Sequence, residues 1–363
     1  MTVMTGRYRL LLWAYPRDYR RERGVEMVST LLDAGHARPG WRVTFNLVVH
    51  GMRCRLGRPA SRSVALWAVL MSVVCGLYGS ALGARVGWET ARPLPERAEA
   101  AAIFTSIFPE HGVTGEIYRS KAMFTIYGEP LSLDNLDTLL SFDGGEYGLG
   151  DTNTSTSLPA STGQRAIIAS ALERLPANGW EASEPVTSNA AECATAACDP
   201  TTLPTQTLLT ARRGDNILEI HTVSDPRLGQ LRLAMSLSRA TPWPVHPAAI
   251  LGFVIGALAT WLIFGWASRR NEYRPWQRSL STVLFGFSMF MTAMPIVFTV
   301  PYQIDHHLSE THFRWHPLWE WLGQPAFSLI VLVGLGAALP TLALALLPRP
   351  ALAQSHGAVD RGH

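Results

Sequence analysis

Four long apolar stretches constrain the fold of this 363-residue chain more than any other feature. They run from about Val64 to Ala84, Pro247 to Ala267, Leu280 to Val300 and Pro325 to Leu347. A bilayer's hydrocarbon core of about 30 Å is crossed by a helix of about 20 residues, which satisfies its own backbone hydrogen bonds. Buried helices of soluble proteins are rarely so long and apolar. We therefore expect an α-helical integral membrane protein with four transmembrane helices.

The arginines predict how these helices are oriented. Residues 1–63 hold twelve arginines against four acidic residues, a net charge of +8. The segment 268–279 carries four arginines and one glutamate, whereas 301–324 carries three acidic residues and one arginine. Short basic segments stay in the cytoplasm. The segments 1–63 and 268–279 are therefore expected inside, and 85–246 and 301–324 outside.

The composition also indicates a source. Lys121 is the only lysine among the 31 basic residues, and this bias is typical of GC-rich bacterial genomes. Because 63 residues precede the first apolar stretch, it is expected to be a signal anchor rather than a cleaved signal peptide. The predicted location is the bacterial cell membrane, with both termini cytoplasmic. The predicted segments are a basic helical module at 1–63, transmembrane helices at 64–84, 247–267, 280–300 and 325–347, an extracytoplasmic α+β domain at 85–246 between helices 1 and 2, a cytoplasmic loop at 268–279, an extracytoplasmic loop at 301–324 and a cytoplasmic tail at 348–363.

The segment 89–245 differs sharply from the rest, with 19 acidic and 11 basic residues. Its length suffices for a core of its own. Apolar residues at helical spacing predict helices at 97–108 and 164–175. Strands are predicted within 115–127 and near 180–187, 206–213, 216–223 and 230–239, with Gly214-Asp215 as a hairpin turn.

Two further features bear on the organisation of this domain. The endings Phe108-Pro109-x-x-Gly112 and Leu175-Pro176-x-x-Gly179 are alike, which suggests either a duplicated α+β unit or a coincidence of helix ends. The segment 143–157 is rich in Gly, Ser and Thr. It is therefore expected to be a flexible linker between the two halves.

The N-terminal segment predicts three short helices, the third beginning at Trp41. Leu12-Trp13-Ala14-Tyr15-Pro16-Arg17-Asp18-Tyr19-Arg20, followed by Arg23-Gly24-Val25-Glu26-Met27, resembles the basic helical prefix of actinobacterial multi-pass membrane proteins, permease-like ones among them. The resemblance covers about 50 residues of the 363. It implies a membrane protein with a signalling or regulatory role, and it carries over no catalytic residue.

Several partners remain open for the helical parts. The arginines of 1–63 would attract anionic lipid, at about 1 kcal/mol per charge, or bind a cytoplasmic protein. Nucleic acid is not expected, because no helix-turn-helix pattern accompanies the charge. Gly79-x3-Gly83 and Gly252-x3-Gly256 predict close helix contacts within the chain or in a homo-oligomer, unless they reflect the general abundance of glycine in membrane helices. The spans lack central ionisable residues, which argues against an ion-coupled transporter.

The cysteines and histidines are the candidate sites. Cys54 and Cys75 are expected to be inert thiols, whereas Cys193 and Cys198 are expected to form a disulfide outside, with redox sensing as the alternative. A metal site is not expected at these cysteines, because four soft ligands are missing. The motif Asp305-His306-His307-x-x-Glu310-x-His312-x-x-x-His316 would bind Zn²⁺ or Cu²⁺, or sense pH, or simply lie at the lipid headgroups; the last is preferred, with no metal.

No catalytic or nucleotide-binding motif occurs in the sequence. We therefore expect a non-enzymatic protein without a cofactor. The preferred hypothesis is a sensor or regulatory protein that couples the outer domain to the cytoplasmic module. The alternatives are a permease-like or transporter-accessory subunit, which a neighbouring ATPase would favour, and a structural envelope protein.

Overall fold

The computed structural model describes residues 8–33, 40–57, 62–120, 124–126, 129–130, 132–135, 145–147, 149–190, 203–225, 228–271, 275–309, 316–323 and 325–347. The chain divides into two compact units, one of Met1–Gly79, Phe253–Met294 and Ile330–His363 and the other of Ser80–Gly252 and Pro295–Leu329. The described helices are α1 (Arg17–Asp33), α2 (Trp41–Arg55), α3 (Arg62–Gly87), α4 (Arg97–Ile107), α5 (Gln164–Ala177), α6 (Val245–Arg270), α7 (Pro275–Ser309), α8 (Leu318–Leu322) and α9 (Pro325–Leu346), with 3-10 turns at Leu12–Ala14, Trp88–Thr90, Leu133–Asn135 and Ala160–Thr162.

Four helices in the described part of the chain, α3, α6, α7 and α9, are long and apolar enough to cross a membrane. They correspond to the four predicted apolar helices. The helix α7 is longer than expected, with 35 residues, or about 52 Å at 1.5 Å per residue. It continues through Pro295 and Pro301, so residues 301–309 are helical rather than part of a loop. Proline is tolerated in such helices because local adjustments and neighbouring groups satisfy the freed backbone carbonyls.

Glycines bring α3 and α6 into close contact in each unit. In one unit, a Cβ atom built on Gly256 would lie 2.6 Å from the carbonyl oxygen of Cys75. In the other unit, a Cβ atom on Gly83 would overlap the carbonyl oxygen of Ala248. Such distances leave no room for any other side chain. Gly83 and Gly256 of the two predicted motifs are therefore contact positions within the chain.

The sheet domain, residues 97–239, contains an antiparallel sheet with seven described strands. The described strands are β1 (Tyr118–Arg119), β2 (Phe124–Ile126), β3 (Glu129–Pro130), β4 (Gly145–Tyr147), β5 (Thr152–Pro159), β6 (Glu181–Ala182), β7 (Val186–Asn189), β8 (Thr205–Arg213), β9 (Asn216–Asp225) and β10 (Gln230–Arg239). The strand order in the main sheet is β1-β5-β10-β9-β8-β6, and β7 also pairs with β8. Gly214, at φ +59°, and Asp215 join β8 to β9 in a two-residue turn, which confirms the predicted hairpin. A second small sheet contains β3, β2 and β4.

Both helices of the sheet domain contribute to one hydrophobic core with the main sheet. Alternate residues of β10 are buried, as expected for a strand with one face on the core. On the helix side, Phe104 and Leu175 are completely buried. The core consists of Ala100, Ile103, Phe104, Ile107, Phe108, Ile167, Ile168, Ala171, Leu175, Trp180, Leu209, Ala211, Leu218, Ile220, Leu231, Leu233, Met235 and Leu237.

The prediction of a flexible linker at 143–157 is wrong for the second half of this segment. Residues 152–159 form β5, which pairs along its length with β10 and at one end with β1. Thr152, Thr154 and Thr156 are at most 4% exposed. Threonine is β-branched and fits a pleated strand, so this stretch is part of the core sheet despite its loop-like composition.

The similar helix endings do not identify a repeat, because their geometry differs. Gly179 adopts φ +75° after α5, and the N–H of Trp180 donates to the carbonyl of Leu175 at 3.0 Å. Gly112, the counterpart of Gly179, has no positive φ, so the backbone leaves α4 in a different conformation. The shared Pro-x-x-Gly spacing therefore marks two different helix ends.

Candidate functional site

A small helical module, residues 8–57, is built around two tyrosines. Tyr8 and Tyr15 are each 1% exposed. The Arg55 guanidinium donates to the carbonyls of Ala14 at 2.7 Å and Trp13 at 2.5 Å. These bonds fix the 3-10 turn against α2. Burial raises the pKa of Tyr15 to about 12, so its hydroxyl stays protonated at neutral pH.

The module is bonded to the last turns of α6 within the same unit. The indole nitrogen of Trp261 donates to the carbonyl of Met52 at 3.1 Å. Arg269 donates to the carbonyl of Arg55. A Cβ atom on Gly265 would lie 2.6 Å from that same oxygen. The C-terminal end of α2 is therefore held by backbone contacts that other side chains at position 265 would block.

The opposite end of α6 is joined to the main sheet. The strand β10 ends at Arg239, and only residues 240–244 separate it from α6. The N–H of Ala240 donates to the carbonyl of Asp215 at 2.7 Å, and that of Val245 donates to Pro242 at 3.1 Å. A Cβ atom on Gly87 would lie 2.7 Å from the Cα atom of Val245. This junction between strand and helix is short and internally bonded.

A buried polar stripe runs along α7, and it has no counterpart among the predictions because none of its side chains is ionisable. Its members are at most 6% exposed and are spaced alternately four and seven residues apart, which places them on one helical face. The hydroxyl of Tyr78 donates to the carbonyl of Thr292 at 3.0 Å. In the described residues, Gln277 Nε2, Ser288 Oγ and Thr299 Oγ1 have no hydrogen-bond partner. The stripe consists of Gln277, Ser281, Ser288, Thr292, Thr299 and Gln303.

The described histidines of the 305–316 motif take part in structural contacts. The N–H of His316 donates to Nε2 of His307 at 3.0 Å, and Nδ1 of His316 lies 2.8 Å from a carboxylate oxygen of Glu320. The ring of His306 packs edge-on to Trp321 at 5.3 Å between centroids. No group of three metal-ligating side chains is found in the part of the chain that the structure describes. Glu310 and His312 lie outside the described residues.

Two of the four cysteines lie in the described residues. Cys54 and Cys75 are free thiols. Burial raises the pKa of Cys54, which keeps its thiol protonated and unreactive. Cys193 and Cys198, predicted to form a disulfide, lie outside the described residues.

The sheet face opposite the helices carries a chain of polar contacts. The ring nitrogen Nε2 of His221 lies 3.2 Å from the amide oxygen of Gln206, whose nitrogen donates to the Ser188 hydroxyl at 3.1 Å. Burial and the nearby Arg232 lower the pKa of His221, so the imidazole is neutral at pH 7. This face is therefore polar and hydrogen-bonding in character, with Arg232 and Glu219 near the neutral imidazole of His221.

Comparison of the chain with protein-family models, with curated proteins and with solved structures finds no match.

Proposed function

We propose that this chain is a non-enzymatic membrane protein of sensor or regulatory type, in which the sheet domain lies outside the cell and the helical module lies in the cytoplasm. The excess of arginine in 1–63 and 268–279 supports this orientation, because basic segments are retained inside. The four apolar helices support the location in a membrane.

The observation that carries the proposal is the double attachment of α6. One end follows β10 after five residues, and the other end holds α2 through Trp261 and Arg269. A displacement of α6 that begins at the sheet therefore acts on the helical module without an intervening loop. The hydrogen-bonding sheet face around His221 is the surface on which we place the external ligand.

The polar stripe of α7 supports the idea that the apolar helices can pack together in two alternative arrangements. A buried polar group without a partner costs about 1–3 kcal/mol relative to a paired one. Ser288 Oγ and Thr299 Oγ1 are both in this state. A second arrangement of the helices that pairs these groups would be close in free energy, and a ligand would need only a modest difference in affinity to select it.

Hydrogen exchange of the full chain in lipid vesicles tests the coupling. The variant Leu233→Ala removes a completely buried side chain of β10 and is expected to loosen the sheet domain by about 2–5 kcal/mol. If α6 couples the two regions, exchange of residues 41–55 also becomes faster. Leu335→Ala, at a 52% exposed position of α9, is the matched control and should leave residues 41–55 unchanged.

A different pattern of exchange would contradict the coupling. If exchange rises within the sheet domain of Leu233→Ala but stays constant in α2, the coupling function is excluded. Co-purification with an ATPase that is equal for wild type and Leu233→Ala would then favour the permease-like or transporter-accessory alternative.

A further inference from the structure

The helix α2 has three distinct faces. The first is buried against the 3-10 turn, where a Cβ atom on Gly51 would lie 2.8 Å from Cβ of Ala14. The second is apolar and exposed: Trp41 is 75%, Phe45 61%, Val48 37% and Val49 41% accessible. At 100° per residue these four side chains fall within one arc of the helix. They form an apolar stripe in which every side chain is more than one-third exposed.

The third face of α2 is polar and basic. Asn46 and His50 are exposed on it, and the guanidinium of Arg42 lies 5.5 Å above the ring of Trp41, at the border with the apolar stripe. The helix contains Arg42, Arg53 and Arg55 and no acidic residue. An apolar stripe beside a basic polar face is the pattern of helices that lie in the plane of a membrane surface.

The contacts with α6 define the level at which the C-terminal end of this stripe lies. Met52 accepts a hydrogen bond from Trp261, which lies nine residues before the end of α6 at Arg270. Nine helical residues measure about 13 Å. The C-terminal half of α2 therefore runs beside the last turns of a helix that is apolar enough to cross a membrane. At that level, lipid headgroups meet acyl chains.

We propose that α2 binds the cytoplasmic surface of an anionic lipid bilayer. Trp41, Phe45, Val48 and Val49 insert among the upper acyl chains, and Arg42 and Arg53 pair with lipid phosphates. In the 3-10 turn packed against α2, Trp13 is also exposed, at 64%, with the guanidinium of Arg20 4.7 Å above its ring. Lipid fits this surface better than a protein groove because the apolar stripe is bordered by arginines and begins at a tryptophan. The proposal concerns anchoring and does not depend on the proposed sensor function.

A pair of fluorescent labels on the full chain tests the proposal. The four native cysteines are replaced by serine, and an NBD label is attached to either Val48→Cys on the apolar stripe or Asn46→Cys on the polar face. Each protein is reconstituted into vesicles of phosphatidylglycerol and phosphatidylcholine in equal parts. We expect iodide in the water to quench the label at position 46 at least threefold more strongly than that at 48. Brominated lipid should quench position 48 more strongly.

A second variant tests the part played by charge. In the Val48→Cys protein, Arg42→Gln with Arg53→Gln should increase quenching by iodide at least twofold. In vesicles of phosphatidylcholine alone, the same two substitutions should have little effect, because there is no anionic headgroup to lose.

Two results would overturn the proposal. Equal quenching of positions 46 and 48 by iodide would show that the stripe faces water. Protection of position 48 from iodide without quenching by brominated lipid would show that protein covers it, either a second copy or another partner. Retention of a protease-resistant sheet domain in each reconstituted variant confirms that the labelled chain is folded.

Discussion

The buried threonines of β5 show two states of the same hydroxyl group. Thr152 Oγ1 donates to the carbonyl of Pro95 at 3.0 Å, whereas Thr154 Oγ1 is buried without a partner. Both side chains face the core beside β10. Because both residues place a methyl group in the core, the energetic difference between them lies in the hydrogen bonding of their hydroxyl groups.

This difference predicts opposite effects of the same substitution. Thr152→Val leaves the Pro95 carbonyl unpaired and should lower the free energy of unfolding of the sheet domain by about 1–2 kcal/mol. Thr154→Val removes a desolvated hydroxyl and should leave that free energy unchanged or raise it by about 1 kcal/mol. Pulse proteolysis of the full chain in increasing urea measures both. Equal losses in the two variants would contradict this interpretation.

The Glu110–Arg174 ion pair links the segment after α4 to α5. Arg174 donates to a Glu110 oxygen at 2.7 Å and to the carbonyl of Ile107 at 3.1 Å. Hydrogen bonding to Arg174 is the main cause that lowers the pKa of Glu110 from 4.5 to about 2. A lowered pKa in the folded state gives stability that is complete above the unfolded value and is lost below it.

The sheet domain should therefore lose stability as the pH falls from about 4.5 to about 2. Glu110→Gln should reduce the slope in this window and change little at pH 7, because the pair is exposed and screened by solvent. Near-UV circular dichroism during thermal unfolding of the full chain, repeated along the pH series, measures the slope. An unchanged slope in Glu110→Gln would assign acid sensitivity to other carboxylates.

At the residue level, the sequence is misleading wherever polar side chains face the interior. Gly, Ser and Thr around position 150 are typical of loops, yet alternate threonines of this segment are core residues of β5. The stripe of α7 is hidden in the sequence for a related reason, since Ser288 and Thr299 carry no charge. Hydrophobic periodicity identifies a buried face only where that face consists of apolar residues. A buried face of hydroxyl groups becomes visible only from the spacing of the polar residues themselves.

Among the elements, the close approach of α3 and α6 depends most on particular residues. A Cβ atom at position 83 would overlap the backbone of Ala248, whereas one on Gly286 of α7 would meet no described atom within 4 Å. Both positions are in long apolar helices, so they form a matched pair for substitution.

Gly83→Ala should force the two helices apart and cost about 1–3 kcal/mol, as overpacking does elsewhere. Gly286→Ala should be neutral or slightly stabilising, because alanine favours the helix. Helical circular dichroism of the purified full chain during titration with a denaturing detergent compares the two. If both variants unfold at the wild-type detergent fraction, the contact at position 83 contributes nothing to stability.

Helices and strands were predictable where the same spacing of apolar residues continues over many positions. The long apolar stretches and the strands β8, β9 and β10 agree with the sequence pattern, because each repeats its period without interruption. The end of α7 was not predictable, since Pro301 normally indicates a helix boundary. Beyond Pro301, Gln303 donates a hydrogen bond to the carbonyl of His316, a contact that helical periodicity does not reveal.

For the molecule as a whole, orientation is the prediction with the widest consequences. Thr30 in α1 and Glu184 between β6 and β7 are both exposed. In a cysteine-free background, an impermeant maleimide should label Glu184→Cys in intact cells and Thr30→Cys only after the membrane is opened. Labelling of Thr30→Cys in intact cells would reverse the orientation expected from the arginines.

The five residues between β10 and α6 have a mechanical consequence. Two of them, Pro242 and Pro244, have fixed φ angles, and the chain on either side is tied by backbone hydrogen bonds. A flexible tether would let a strand turn while the following helix stood still. Under the proposed coupling, this restrained joint would pass a twist of the last strand to α6 as torque about the helix axis. The end of α6 that holds Met52 and Arg55 would then sense rotation rather than a change in distance.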